Sequence, residues 1–373
     1  MKYFLIAGEA SGDIHAADLI RSIRNSDPDA RFKFFGGDLM AEAAGEKPVL
    51  HYRNMAYMGF SETLRHLRSI LRNLRNAKES VRDYQPDALI LIDLPSFNLK
   101  VAKYAHSLGI PVYYYISPKV WAWKEYRVKQ IKKYCRRVLA IFPFEVDFYR
   151  RHGYEVDFVG NPSVVEVDNK LAALPSREDF LKKHKLRDRP LLALVPGSRK
   201  GEIRNNLPVM IAASDRFPQY RPVVAGAPGI DPDFYRQFTD LPVVQGETFE
   251  LVAHSRGALV TSGTATLETA LIGTPQVVCY RANGSKLSYK LMSAILKVKY
   301  VSLPNLIADR EIIPEMLLHM CTPESISGHL ASILPDGDGR TAQLKGYADM
   351  RHRLGDTPAP DNAARIIAAD IKK

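Results

Sequence analysis

Cysteine is scarce: Cys135, Cys279 and Cys321 are the only three in 373 residues, far apart and with no C-x-x-C pair. This spacing argues against a disulfide framework or a zinc site and suits a reducing compartment. No apolar run approaches the roughly 18–20 residues that cross a bilayer. The opening Met1–Gly8 is too short for a signal-peptide core, and no small-residue cleavage site follows it. Gly8 and Gly12 do not make a G-x-G-x-x-G fingerprint, and no G-x-S-x-G nucleophile turn or metal-ligand spacing occurs. Acidic residues are in deficit, 41 against 52 basic, for a formal charge of +11. Zinc-finger, RNP-like and long Lys/Arg patterns are missing, so nucleic acid is disfavoured. Anionic phospholipid or phosphorylated small molecules remain as partners.

What is present is alternation. Tyr3–Ala7, Phe32–Phe35, Ala88–Ile92, Pro111–Ile116, Val138–Ile141 and Val156–Val159 read as strands separated mostly by helical stretches. Ala88–Ile92 is apolar throughout, as in a parallel strand buried on both faces. The pattern loosens over residues 163–175 and then resumes with Leu191–Val195, Pro222–Ala225, Pro242–Val244, Ala258–Val260 and Gln276–Tyr280. The expected fold class is α/β, with two doubly wound Rossmann-like domains facing a cleft. The expected divisions are an N-terminal domain of residues 1–162, a nucleotide-binding domain of residues 163–345 and a C-terminal helical segment of residues 346–373.

The polar motifs fall at strand ends, where such sheets bind ligands. After Ala258–Val260 comes Ser262-Gly263-Thr264, a tight turn into a helix that Gly273 and Pro275 end. The unpaired N–H groups and positive dipole of a helix start receive phosphate, although Ser and Gly also serve there as plain caps. Glu268, one turn in, either accepts ribose hydroxyls or answers the helix dipole at the surface. Pro196-Gly-Ser-Arg199 offers a guanidinium fork to phosphate oxygens. Asp93, ending Ala88–Ile92, either takes a proton from an attacking hydroxyl or caps the next helix, a task Asn98 could equally perform. In Met55–Lys78, Leu64, Leu67, Leu71 and Leu74 recur at helical spacing among Arg65, Arg68, Arg72 and Arg75. This helix lies in a membrane interface or packs its leucines on the sheet. Lys119–Arg137 holds eight basic residues and one acidic, with Trp121 and Trp123 in front. It is a phosphate or interfacial patch, or a solvated helix face with tryptophans in the core.

Taken in order, Ala7-Gly-Glu-Ala-Ser-Gly-Asp13, Met58-Gly59 with Glu62, Asp93-x-Pro95-x-Phe97-Asn98 and Ser117-Pro-x-x-Trp-Ala-Trp123 form a set with four further motifs. These are Pro143-Phe-Glu145, Pro196-Gly-Ser-Arg199, Ser262-Gly-Thr-Ala-Thr-Leu-Glu268 and Leu303-Pro-Asn305. The set closely resembles the lipid-A-disaccharide synthase family of inverting GT-B glycosyltransferases, from about Met1 to Pro314. The resemblance implies transfer from UDP-2,3-diacylglucosamine to 2,3-diacylglucosamine 1-phosphate, giving the β(1→6) disaccharide phosphate and UDP. No metal or other cofactor is implied. Asp93 would be the base. Arg199, Ser262, Gly263, Thr264, Thr266, Glu268 and Asn305 would serve the nucleotide, with Glu9, Ser11, Asp13 and Asn98 on the acceptor side. Leu64, Leu67, Leu71, Leu74, Arg68 and Arg72 would meet the anionic cytoplasmic face of the inner membrane, making the protein cytoplasmic and peripheral, with an oligomer allowed. Many members have His where this chain has Asn161 and an acidic residue where it has Ser96, which leaves any acid–base or orienting part at those positions open. The rival is another UDP-sugar enzyme of the same fold, a 2-epimerase or a peptidoglycan-type transferase.

Overall fold

Apolar runs of four to seven residues, too short for helices, become parallel strands here, and the amphipathic stretches between them become the crossover helices. The computed structural model describes residues 1–55, 67–122, 124–281 and 299–372, with Leu67 as backbone only. Their contacts separate two units, Met1–Pro162 with Gly355–Lys373, and Ser163–Leu354.

The first unit holds β1 (Lys2–Ala7), β2 (Arg31–Gly36), β3 (Leu50–His51), β4 (Ala88–Ile92), β5 (Val112–Tyr115), β6 (Arg137–Ala140) and β7 (Asp157–Phe158). They form one sheet in the order 3-2-1-4-5-6-7, parallel throughout. The second unit holds β8 (Leu191–Val195), β9 (Arg221–Gly226), β10 (Val243–Gln245), β11 (Ser255–Thr261), β12 (Gln276–Tyr280) and β13 (Glu315–Leu317), ordered 10-9-8-11-12-13. Every residue of β4 and β8 is buried, as continuous apolar runs require. The short strands β3 and β13, of two and three residues, carry no periodicity to betray them.

Each sheet reverses its winding once, between β1 and β4 in the first unit and between β8 and β11 in the second. Crossover helices leave for opposite faces at such a point, so the turns beyond the carboxyl ends of those strands flank a crevice. The Gly8–Asp13 and Asp93–Asn98 motifs follow β1 and β4. Pro196–Arg199 and Ser262–Thr264 follow β8 and β11.

The expected separate segment of residues 346–373 is instead shared between the units. The helix Arg340–Leu354 runs on unbroken through residue 346 in the second unit, and Ala359–Ile371 packs on Ala10–Ser26 in the first. Ala363, Ala364 and Ile367 are buried there. Asp370 latches this last helix: it accepts from the Tyr113 hydroxyl at 2.8 Å and Arg136 Nε at 2.6 Å, with Arg137 Nε at 3.2 Å. Burial raises the Asp370 pKa, but these hydrogen bonds outweigh it and hold the carboxyl below its ordinary value. A group depressed in the folded state stabilises above its unfolded pKa and loses that contribution as pH falls through the folded one. Asp370→Asn is therefore expected to lower the unfolding free energy of the first unit by roughly 2–3 kcal/mol at neutral pH. In denaturant melts the gap from the native chain closes as pH falls below the carboxylate range.

Candidate active site

At the end of β4 the chain makes a strained turn. Asp93 and Leu94 have φ of 45° and 47°, and Ile116, just past β5, has 59°. Non-glycine residues pay on the order of 1–3 kcal/mol each for this region, more when β-branched, so surrounding contacts must hold it. They do. Asn98 Nδ2 donates to the carbonyls of Ile92 at 3.1 Å and Asp93 at 2.7 Å, the Tyr114 hydroxyl donates to the Asp93 carbonyl at 2.6 Å, and the Asp93 N–H donates to Ile116 at 3.2 Å. Leu94 folds over Gly8, where any Cβ would collide with its methyl groups. The turns after β1 and β4 are thereby interlocked. Neither Asp93 nor Asn98 caps the following helix Pro95–Ser107: Leu94 holds the N-cap position without a side-chain bond, and Asn98 is fully buried inside the first turns. The Asp93 side chain reaches solvent, yet the protein packed about its carboxyl raises the pKa, against the pull of Lys119 and the Leu94 N–H.

Around this turn the polar side chains brace backbone. Asp13 is buried and accepts from the N–H groups of Gly37 at 2.7 Å, Leu39 at 3.2 Å and Met40 at 3.2 Å, which fastens the Asp38–Ala44 helix. Glu9 is the N-cap of Ala10–Ser26, and Ser11 is exposed in its first turn. Glu145, 1% exposed, accepts from the N–H groups of Ile141 and Phe142 and from Ser117 Oγ, which in turn accepts from Tyr149. It ties the Ser117-Pro and Pro143-Phe-Glu motifs into one buried cluster. Asn161 donates to the Ile141 carbonyl, and Ser96 Oγ accepts from Arg127.

In the second unit Gly263 opens the Thr264–Ile272 helix with φ 153° and ψ −161°, a region only glycine occupies freely. Gly263 and Thr264 are exposed at this helix start, and Ser262 is half-buried, its hydroxyl reaching the Val301 carbonyl at 3.4 Å. Thr266 is buried and donates to the Gly263 carbonyl at 2.7 Å, bracing the turn from beneath. Glu268 is half-buried with its pKa raised by desolvation, against the pull of Lys170. Arg199 is the N-cap of Lys200–Ser214, its exposed guanidinium 3.0 Å from Glu202 while Glu202 also accepts from the N–H groups of Ser198 and Arg199. An exposed i,i+3 pair is worth little, so that guanidinium is available to a stronger anion.

Asn305 is fully buried. It accepts from the N–H groups of Ile312 and Ile313 and donates to the Ile313 carbonyl and to Glu315 Oε1 at 2.9 Å. Glu315 also accepts from Val301, Ser302 N–H and Ser302 Oγ. Through Val301 this network ends at Ser262. Two supports of this unit's turns were not foreseen from the sequence. Glu315 stands on β13, too short to recognise. Asn206 bonds the Pro196 carbonyl and the Arg281 N–H and sits on the buried stripe with Ile203, Leu207 and Met210; a polar residue on that face was the available signal.

The chain matches a family model described as lipid-A-disaccharide synthetase over residues 3–364. The lipid-A-disaccharide synthase of Myxococcus xanthus is 41% identical, covering 98% of this chain and 96% of its own. That of Syntrophus aciditrophicus is 37% identical over 99% and 97%. The chain belongs to the lipid-A-disaccharide synthase family. It is thus a glycosyltransferase of lipid A biosynthesis. Its fold is shared with a Methanocaldococcus jannaschii UDP-GlcNAc 2-epimerase in complex with UDP-GlcNAc and UDP (TM-score 0.63, 14% identity, 99% and 100% covered). The calicheamicin glycosyltransferase CalG4 is similar at TM-score 0.59, 17% identity, with 99% and 98% covered. Both sheets are those expected of a GT-B enzyme.

Of the candidates for a lipid contact, Leu64 and the Leu67 side chain lie outside the described residues, as does Trp123 of the basic stretch. On the Leu67–Tyr84 helix the inward face is Asn73, Ala77 and Val81, with Leu74 packed against the core. Leu71 is 52% exposed, and Arg68, Arg72 and Arg75 are exposed with it. The leucine stripe is therefore divided, Leu74 inward and Leu71 outward. No helix among the described residues is long and apolar enough to cross a membrane.

Glu145 supplies a pH signature for the first unit. Burial pushes its carboxyl up to about 7, offset in part by bonds from Phe142 N–H, Ser117 and Ile141 N–H. A carboxyl raised in the folded state is fully stabilising below its unfolded pKa, and that contribution fades as pH climbs to the folded value. Between pH 5 and 8 the native chain is expected to lose roughly 2–3 kcal/mol of unfolding free energy relative to Glu145→Gln. Parallel pH profiles of the two proteins in denaturant would show the same slope if Glu145 were ionised throughout.

Proposed function

We propose that the donor is UDP-2,3-diacylglucosamine and the acceptor 2,3-diacylglucosamine 1-phosphate, joined with inversion into the β(1→6) disaccharide 1-phosphate with release of UDP. The observation that carries this reading is the carboxylate of Asp93, reaching solvent at the first unit's switch point on a turn braced by buried hydrogen bonds. Its raised pKa suits a group that must accept a proton. Asp93 takes the proton of the acceptor 6-hydroxyl as that oxygen attacks the anomeric carbon. A single displacement inverts that centre.

The leaving UDP is held by the second unit. Its phosphates meet the N–H groups of the exposed turn residues Gly263 and Thr264, with Ser262 at the side and the exposed Arg199 exchanging its half-buried partner Glu202 for phosphate oxygen. Arg199 and the helix start absorb the charge on the departing phosphate, and the scheme calls on no metal ion. Glu268 accepts from ribose hydroxyls. Thr266 and Asn305 act from behind, keeping the turn's shape. Glu9 and Ser11 face the acceptor. Asp13 and Asn98 serve that side by fixing backbone.

Both substrates carry acyl chains, so the enzyme works as a peripheral protein on an anionic membrane face. The outward Leu71 with Arg68, Arg72 and Arg75 supports this: a basic surface supplies attraction of about 1 kcal/mol per charge, and an apolar side chain among those charges can insert. An oligomer is compatible with the scheme.

Asp93→Asn is expected to bind UDP normally and to lose 10²-fold or more in kcat, read by mass spectrometry of the disaccharide product. A variant turning over at the native rate removes Asp93 from the chemistry. Arg68→Glu with Arg72→Glu is expected to cut co-sedimentation with phosphatidylglycerol vesicles severalfold, and Leu71→Ser to weaken it further, with the circular dichroism spectrum unchanged. Undiminished sedimentation of the triple variant would move the membrane contact elsewhere.

A further inference from the structure

β5 carries three consecutive buried tyrosines with three different fates. The Tyr113 hydroxyl donates to Asp370, and the Tyr115 hydroxyl has no hydrogen-bond partner among the described residues. The Tyr114 hydroxyl donates at 2.6 Å to the carbonyl of Asp93. We propose that Tyr114 is a positioning residue for the reaction, holding Asp93 in the left-handed conformation that aims its carboxylate at the acceptor. This rests on the reading of Asp93 as the base.

The argument is geometric. Successive side chains of a strand point to opposite faces, so if β4 continued in extended form through Asp93 its carboxylate would be directed by the pleat. The left-handed step at Asp93 and Leu94 breaks that alternation and leaves the Asp93 carbonyl turned inward. An inward carbonyl needs donors, and two converge on it: Tyr114 Oη and Asn98 Nδ2, the latter at 2.7 Å. Tyr114 is the more rigid, because its ring is wholly buried in the core and its backbone is paired with β4 through Leu91. From the same edge the Ile116 carbonyl accepts the Asp93 N–H. Thus β5 and the residue that follows it grip both backbone groups of Asp93, Tyr114 through its side chain and Ile116 through main chain. The Tyr114 hydroxyl is engaged and buried beside Asn98, so it acts through the Asp93 turn and not on a substrate.

The test compares kcat and KM of the native enzyme with Tyr114→Phe, Asp93→Asn and the double variant, using the two proposed substrates. Tyr115→Phe, which removes a buried hydroxyl without a partner among the described residues, is the control. Tyr114→Phe is expected to lower kcat roughly 10- to 100-fold with KM for both substrates unchanged. Against the residual rate of Asp93→Asn it is expected to cost less than twofold, while Tyr115→Phe keeps the native rate. An equal loss in both backgrounds would make Tyr114 merely structural, and a full rate in Tyr114→Phe, or a matching loss in Tyr115→Phe, would also overturn the proposal. Should Asp93→Asn itself run at the native rate, the reading of Asp93 as base fails first, and that outcome is distinct from additivity. Asn98→Ala, which removes the other donor to that carbonyl, gives a second cycle if the tyrosine variant does not fold.

Discussion

A parallel sheet must reverse its winding somewhere, and where it does, the helices on either side diverge and leave turns open to solvent. Both units meet that constraint in the same way, by starting from a central strand, winding outward, and returning to pair the fourth strand with the first. The residues with chemical potential therefore need no long-range coincidence to come together. Gly8 and Asp93 follow neighbouring strands, as do Arg199 and Ser262. The motif order along the chain is the consequence of this winding.

The turns at those points differ in how they are stiffened. The second unit relies on glycine: Gly263 adopts a backbone state closed to other residues, and Thr266 secures its carbonyl from within the helix. The first unit accepts strain at Asp93, Leu94 and Ile116 and offsets it with hydrogen bonds from Asn98 and Tyr114 and with packing of Leu94 on Gly8. A glycine turn presents backbone N–H groups closely, which suits phosphate. Under the proposed function the first unit's turn has to present a carboxylate, so the residue bearing it cannot be glycine and the strain has to be carried.

The fold was legible in the sequence because parallel strands buried on both faces are written as apolar runs, such as Ala88–Ile92 and Leu191–Val195. Leu50–His51 and Glu315–Leu317 were not, although the equally short edge strands Asp157–Phe158 and Val243–Gln245 were, each lying in a stretch bounded by valine or proline. Within the site the legibility was of motifs more than of tasks. Asp13, Asn98, Thr266 and Asn305 all belong to strand-end motifs, and a sequence does not distinguish a polar side chain that meets substrate from one that satisfies backbone N–H and carbonyl groups. Their burial makes the distinction: each is at most 3% exposed and bonded to main chain. Glu315, half-buried, and Asn206, fully buried, do the same work and were missed, the first because it opens a short edge strand and the second because it lies inside an ordinary-looking helix.

The Leu67–Tyr84 helix shows the same limit from the opposite side. Leucine spacing alone reads as one stripe, yet a helix packed on a sheet uses whichever face the sheet selects, here Asn73, Ala77 and Val81 with Leu74 beside them. Asn73 is tolerated inward because its amide donates to the Asn54 carbonyl at 2.8 Å. With a small and polar face turned in, a larger leucine is left out among arginines, an arrangement that burial alone would not select. An exposed Leu71 between Arg68, Arg72 and Arg75 gains nothing from water, and it gains if the surface it meets is both anionic and apolar beneath. The helix is thus amphipathic toward two different media, the core on one side and, under the proposed function, a lipid surface on the other.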